Sequence, residues 1–223
     1  MTQRIQWQAV RVVVGSLAVI AAGCGQSEHS PVGPTAGFSA GTIGIAPAGA
    51  IVGTSVLLES QLASDPSGSP LSYNWDFGDG ETAPGSAAIT HVYATEGIYV
   101  ATVTVNSVES GSTVASLNVP VRSVTARWSG DLGGVRGEPA PGPHGRVSIT
   151  QEGLDLRGTY QDDSRQGIVE GRISDTGTVS FTVTSPGFAP VTFTGTAGPD
   201  VVTLVGAVHG PDVVGGASTF ARN

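Results

Sequence analysis

Between residues 38 and 121 apolar and polar side chains alternate with a period of two, broken by clusters of Gly, Pro, Ser and Asp. No stretch there repeats at the 3.6-residue spacing of an amphipathic helix. The alternation predicts strands over 41–47, 54–62, 71–77, 87–93, 97–105 and 112–121. Six short strands with turn residues between them suit a β-sandwich of about 85 residues. A second series follows, over 127–132, 146–151, 155–161, 166–173, 178–184, 190–197, 201–208 and 216–222. Eight consecutive runs separated by Gly, Pro and Asp turns suit an up-and-down meander that closes into a small barrel, with a two-sheet sandwich as the alternative. The fold class is therefore all-β, with one domain over 38–122 and another over 123–223.

The facing pattern assigns cores. In "GIYVATVTV", Tyr99, Ala101, Val103 and Val105 share one face, and Ile98, Val100, Thr102 and Thr104 share the other. The first is the expected core face, which leaves Ile98 and Val100 as apolar residues on the outside and as the candidate binding surface. In "SYNWDF", Tyr73, Trp75 and Phe77 point together, with Trp75 at the centre of the sandwich. In the second domain Val179, Phe181 and Val183 oppose Ser180, Thr182 and Thr184, while Val191 and Phe193 oppose Thr192 and Thr194. With Leu204 and Phe220 also available, a side-chain-filled barrel is expected. A barrel enclosing a small apolar ligand between Phe181 and Phe193 is the alternative.

Composition narrows the function. Gly (33) and Pro (14) occupy about a fifth of 223 residues, yet aliphatic residues stay plentiful, which fits strands and tight turns rather than disorder. The formal charge is −8, all ten basic residues are Arg, and no basic stripe runs along the chain. Nucleic acid is excluded as an expected partner, because nothing is built to displace counterions.

The first 23 residues read as an export signal. Arg4 and Arg11 precede an eleven-residue apolar run over 12–22, which is too short for the roughly twenty residues that span a bilayer. The run leads into "AAGC", and Cys24 is the only cysteine of the chain. This resembles the bacterial lipoprotein signal, with Ala21 where Leu is commoner. The resemblance implies that Cys24 is acylated, becomes the new N-terminus, and anchors the exported protein to the membrane. Residues 24–37 lack hydrophobic periodicity and read as a flexible tether. With one cysteine, no disulfide can form within the chain, so packing alone must hold both domains.

The string "WDFGDG", followed by "HVY" and "GIY", resembles the PKD domain, an immunoglobulin-like sandwich. The resemblance implies extracellular binding to proteins or polysaccharides, and it makes Tyr93 a corner tyrosine whose hydroxyl bonds backbone. Within the turn, Gly78 and Gly80 permit positive φ, and Asp76, Asp79 and Glu81 are open to two readings. One is a structural turn that satisfies its own N–H groups. The other is a calcium loop, although the spacing is not that of the twelve-residue calcium motif. His91 is expected to be a hydrogen-bonded packing residue. The second domain loosely resembles avidin-like and lipocalin-like barrels, and Trp128 is its only tryptophan.

No nucleophile elbow, phosphate loop or metalloprotease helix is present in the sequence. The expected protein is not an enzyme and carries no cofactor or resident metal. A hydrolase acting through His209 and Asp212 is the remote alternative. Asp162 and Asp163 read as part of a hairpin turn.

Overall fold

Strand formation follows the alternation closely, as seen in a computed structural model that describes residues 37–132, 134–135, 144–211, 213–214 and 216–223. The signal, Cys24 and the tether lie outside the described residues, except Gly37. Residues Ala36–Asn223 form one compact unit.

The N-terminal part is an immunoglobulin-like β-sandwich of two sheets. One sheet has the order β1 (Thr42–Ala46), β3 (Ser55–Gln61), β6 (Ala88–Val92). The other has the order β2 (Ala50–Ile51), β8 (Gly111–Arg122), β7 (Gly97–Ser107), β4 (Leu71–Asp76), β5 (Thr82–Gly85). All neighbours are antiparallel except β2 and β8. Val56 and Leu58 of the first sheet meet Trp75, Ala101, Val103, Val105 and Val119 of the second, all buried. The predicted core face of β7 is the observed one, with Tyr99 only partly buried.

The C-terminal part is a closed eight-stranded barrel. Its strands are β9 (Ala126–Asp131), β11 (His144–Glu152), β12 (Asp155–Gln161), β13 (Gln166–Ile173), β14 (Thr178–Thr184), β15 (Val191–Ala197), β16 (Thr203–His209) and β18 (Gly216–Arg222). Each pairs with the next as a meander, and β18 returns to β9 through Phe220↔Gly130 and Ala221↔Ser129, which removes every free edge. Two short strands outside the barrel, β10 (Gly134–Val135) and β17 (Val213–Val214), pair with each other.

The barrel interior is packed by alternating very large and very small residues. Trp128, Tyr160, Phe181, Phe193 and Phe220 are all at most 2% exposed. The three phenylalanines form one cluster, with ring centroids 5.0, 5.9 and 5.3 Å apart. Glycines on the same or the adjacent strand make the room. A Cβ on Gly145 would lie 2.2 Å from the Tyr160 ring, one on Gly130 2.7 Å from Phe220, and one on Gly195 2.7 Å from Phe193. Burying each aromatic in this way contributes about 1.5–3 kcal/mol relative to leaving it exposed.

The sandwich packs onto one end of the barrel. Ile51 of β2, together with Val124 of the connecting segment, belongs to the barrel's apolar cluster. The Gln151 amide ties the parts further: its Nε2 donates to Val52 O and Gly153 O at 2.8 Å, and its Oε1 accepts from Val124 N at 3.0 Å. Ser55 N also donates to Asp175 O at 3.0 Å. Gly49 has no room for a side chain, since a Cβ would stand 2.4 Å from Pro199 O.

Candidate functional site

The "WDFGDG" turn connects β4 to β5 and folds back on itself. Asp76 Oδ1 accepts the Gly78 N–H at 2.9 Å, Asp79 Oδ1 accepts the Glu81 N–H at 3.1 Å, and Phe77 N donates to Glu81 O at 3.1 Å. Gly78 takes φ +80°, and a Cβ there would meet Val100 O at 2.6 Å, so both conformation and space require glycine. The second carboxylate oxygen of Asp79 accepts from His91 Nε2 at 2.7 Å. Glu81 is 76% exposed at its side chain, with Oε2 3.9 Å from His91 Nδ1.

His91 is held on three sides. Its ring stacks on Phe77 with centroids 3.8 Å apart and planes 1° from parallel, and Tyr93 meets it edge-on at 4.7 Å. Tyr93 in turn stacks on Tyr99, and its hydroxyl donates to Phe77 O at 3.2 Å, across the corner. Burial, reinforced by the nearby Asp79 charge and by Tyr99, pushes the Tyr93 phenol up to about 12. Burial opposes ionisation of Asp79, but the hydrogen bonds from His91 and the Glu81 N–H outweigh it and hold its carboxyl below the ordinary range. Among the described residues, no group of three His, Cys, Asp or Glu side chains gathers to hold a metal ion. The chemistry of this corner is that of a self-satisfied hydrogen-bond network over an aromatic stack.

The Asp79–His91 contact is the feature that sequence reasoning missed. The two residues are twelve apart, Asp79 in the β4–β5 turn and His91 on β6 of the other sheet, and only the inward direction of His91, shared with Tyr93, hints that it meets the turn.

Ile98 and Val100 stand on the outer face of β7, 71% and 51% exposed. Register places Pro120 opposite Ile98 and Asn118 opposite Val100. Val114, 59% exposed, lies farther along β8 opposite Thr104. The face is thus a sheet surface with scattered apolar side chains among hydroxyls and amides.

At the barrel end away from the sandwich, the β12–β13 hairpin carries a buried ion pair. The Asp162 side chain is 0% exposed and that of Arg165 8%, with Arg165 Nε donating to Asp162 Oδ2 at 2.9 Å. Tyr160 OH donates to the same oxygen at 2.6 Å, while the backbone N–H groups of Ser164 and Arg165 donate to Oδ1 at 2.8 and 2.6 Å. The Arg165 guanidinium also lies over the rings of Phe188 (5.1 Å) and Tyr160 (5.9 Å). This arrangement fixes a hairpin and the inward Tyr160; Asp163 is exposed in the turn. His209 is exposed at the end of β16, across from Thr192, and Asp212 lies outside the described residues.

Residues 44–121 match the family model of the PKD domain. One solved structure, "Structural basis for the promiscuous specificity of the carbohydrate-binding modules from the beta-sandwich super family", aligns with 81% of this chain and 82% of that chain at 18% sequence identity and a TM-score of 0.35. Comparison with curated proteins gave no match.

Proposed function

We propose that this chain is a non-enzymatic, lipid-anchored protein of the bacterial cell envelope that binds extracellular protein or carbohydrate through the outer faces of its sheets. The observation that carries this reading is the exposed face of β7, where Ile98 and Val100 lie 71% and 51% accessible on a rigid sheet. The PKD match over residues 44–121 supports an extracellular binding role. The large aromatics of both domains, apart from the half-exposed Phe188, are largely committed to packing, so contact falls to the outer surfaces. Packing of Phe181 against Phe193 and Phe220 leaves the apolar-ligand carrier without support.

The test uses the protein beginning after Cys24, which keeps all of Ala36–Asn223, as bait against envelope extracts. Ile98→Asp with Val100→Asp is expected to weaken capture by about tenfold or more, because each carboxylate would be desolvated unpaired in the contact. Undiminished capture would remove β7 as the binding face. In parallel, a clickable palmitate analogue fed to cells is expected to label the full chain and not Cys24→Ala. Equal labelling of both would refute the anchor.

A further inference from the structure

We propose that the outer barrel face of β9, β11 and β12 is a binding site for an anionic polysaccharide bearing carboxylates, a proposal that deepens the binding reading above and rests on it. Arg127 and Arg146 line a surface groove of about 330 Å³ with Ser148, Thr159 and Gln161. The two arginines are nineteen residues apart in sequence and are brought together by strand register. Arg127 stands opposite Ser148, Ser148 opposite Thr159, and Arg146 opposite Gln161. Neighbouring strands lie about 4.8 Å apart and same-face residues along a strand about 6.8 Å apart, so both guanidiniums flank the Ser148–Thr159 hydroxyl pair.

Three other arginines of the barrel are occupied: Arg165 is paired with Asp162, Arg172 lies 3.7 Å from Asp155, and Arg222 donates to backbone carbonyls over Trp128. Arg157 is exposed on β12, two residues from Thr159 and outside the groove lining. Arg127 and Arg146 make no ion pair or hydrogen bond through their side chains among the described residues, and both are exposed. In a chain of formal charge −8, two unpaired guanidiniums sharing one concave face form a local positive field. Such forks match carboxylates bidentately.

The other lining groups select a sugar over an acidic peptide. Ser148, Thr159 and Gln161 offer hydroxyl and amide partners suited to sugar hydroxyls. The same row continues from Thr159 to Ile168, 56% exposed, which presents one apolar contact for the C–H face of a ring.

The experiment measures affinity of the full-length protein, in detergent micelles, for polygalacturonate by affinity electrophoresis and calorimetry at low and high salt. Poly-glutamate and neutral dextran serve as comparison polymers. Retardation by polygalacturonate that fades with salt is expected, with weaker binding to poly-glutamate and none to dextran. Arg127→Gln and Arg146→Gln should each lower the affinity about tenfold. Arg172→Gln, on the same barrel but outside the groove, should leave it unchanged. Equal loss with Arg172→Gln, equal or tighter binding of poly-glutamate, or wild-type affinity in the Arg127/Arg146 double variant would each overturn the site. Envelope capture that depends on Ile98 and Val100, together with no affinity for polygalacturonate, would overturn this proposal and leave the general binding reading standing.

Discussion

Phe181→Ala is expected to destabilise the protein by about 3–5 kcal/mol, read as a fall in the denaturant midpoint at unchanged slope. The ring is 1% exposed and touches two other phenylalanines, so its removal deletes three-way contact that nothing nearby can replace. Collapse of the surroundings is restricted by the closed hydrogen-bond ladder. Phe181 is flanked on β13 by Gly171, which stands directly opposite it and has no side chain to swing into the gap. The cost should therefore fall at the upper part of the range. A loss below about 1 kcal/mol would mean that the interior relaxes as a loose, repackable core, contrary to the tight aromatic-over-glycine packing.

Asp162→Ala is expected to cost a similar about 3–5 kcal/mol, because it leaves the buried Arg165 guanidinium without its counter-charge and frees the Tyr160 hydroxyl. The same group predicts a pH dependence. Burial would push the Asp162 carboxyl up, but hydrogen bonds from Tyr160, Ser164 and Arg165 dominate and hold it at about 2, against an ordinary 3.8. A carboxyl whose pKa is depressed by folding stabilises the native state above its unfolded value. That contribution is complete above about pH 4 and is lost as the pH falls toward 2. Denaturation monitored from pH 6 to 2 should show a steeper acid loss in the wild type than in Asp162→Ala. Parallel curves would mean that this ion pair is not linked to acid stability.

Much of the architecture is legible in the alternation alone. The runs over 155–161, 166–173, 178–184 and 216–222 coincide with β12, β13, β14 and β18, because each is long enough to show inward and outward faces. Strands β2, β10 and β17 have two residues each and carry no period to read. Strand β5 contains Pro84, which argues against a strand in sequence and is tolerated because β5 is the sheet's edge. Barrel closure depends on β18 meeting β9, a pairing about ninety residues apart that no local pattern encodes. The outward direction of Ile98 and Val100 follows directly from alternation. The partnership of Asp79 with His91 and that of Arg127 with Arg146 do not, since the first joins a turn of one sheet to a strand of the other and the second rests on the register of β9 against β11.

The seam at Ile51 and Gln151 bears on how a bound polymer would be held. Because apolar contact and a bridging amide already fasten the two halves, the surface at Val100 and the groove at Arg146 are offered at a fixed spacing. A long chain spanning both would gain from the second contact without first having to freeze a swinging hinge.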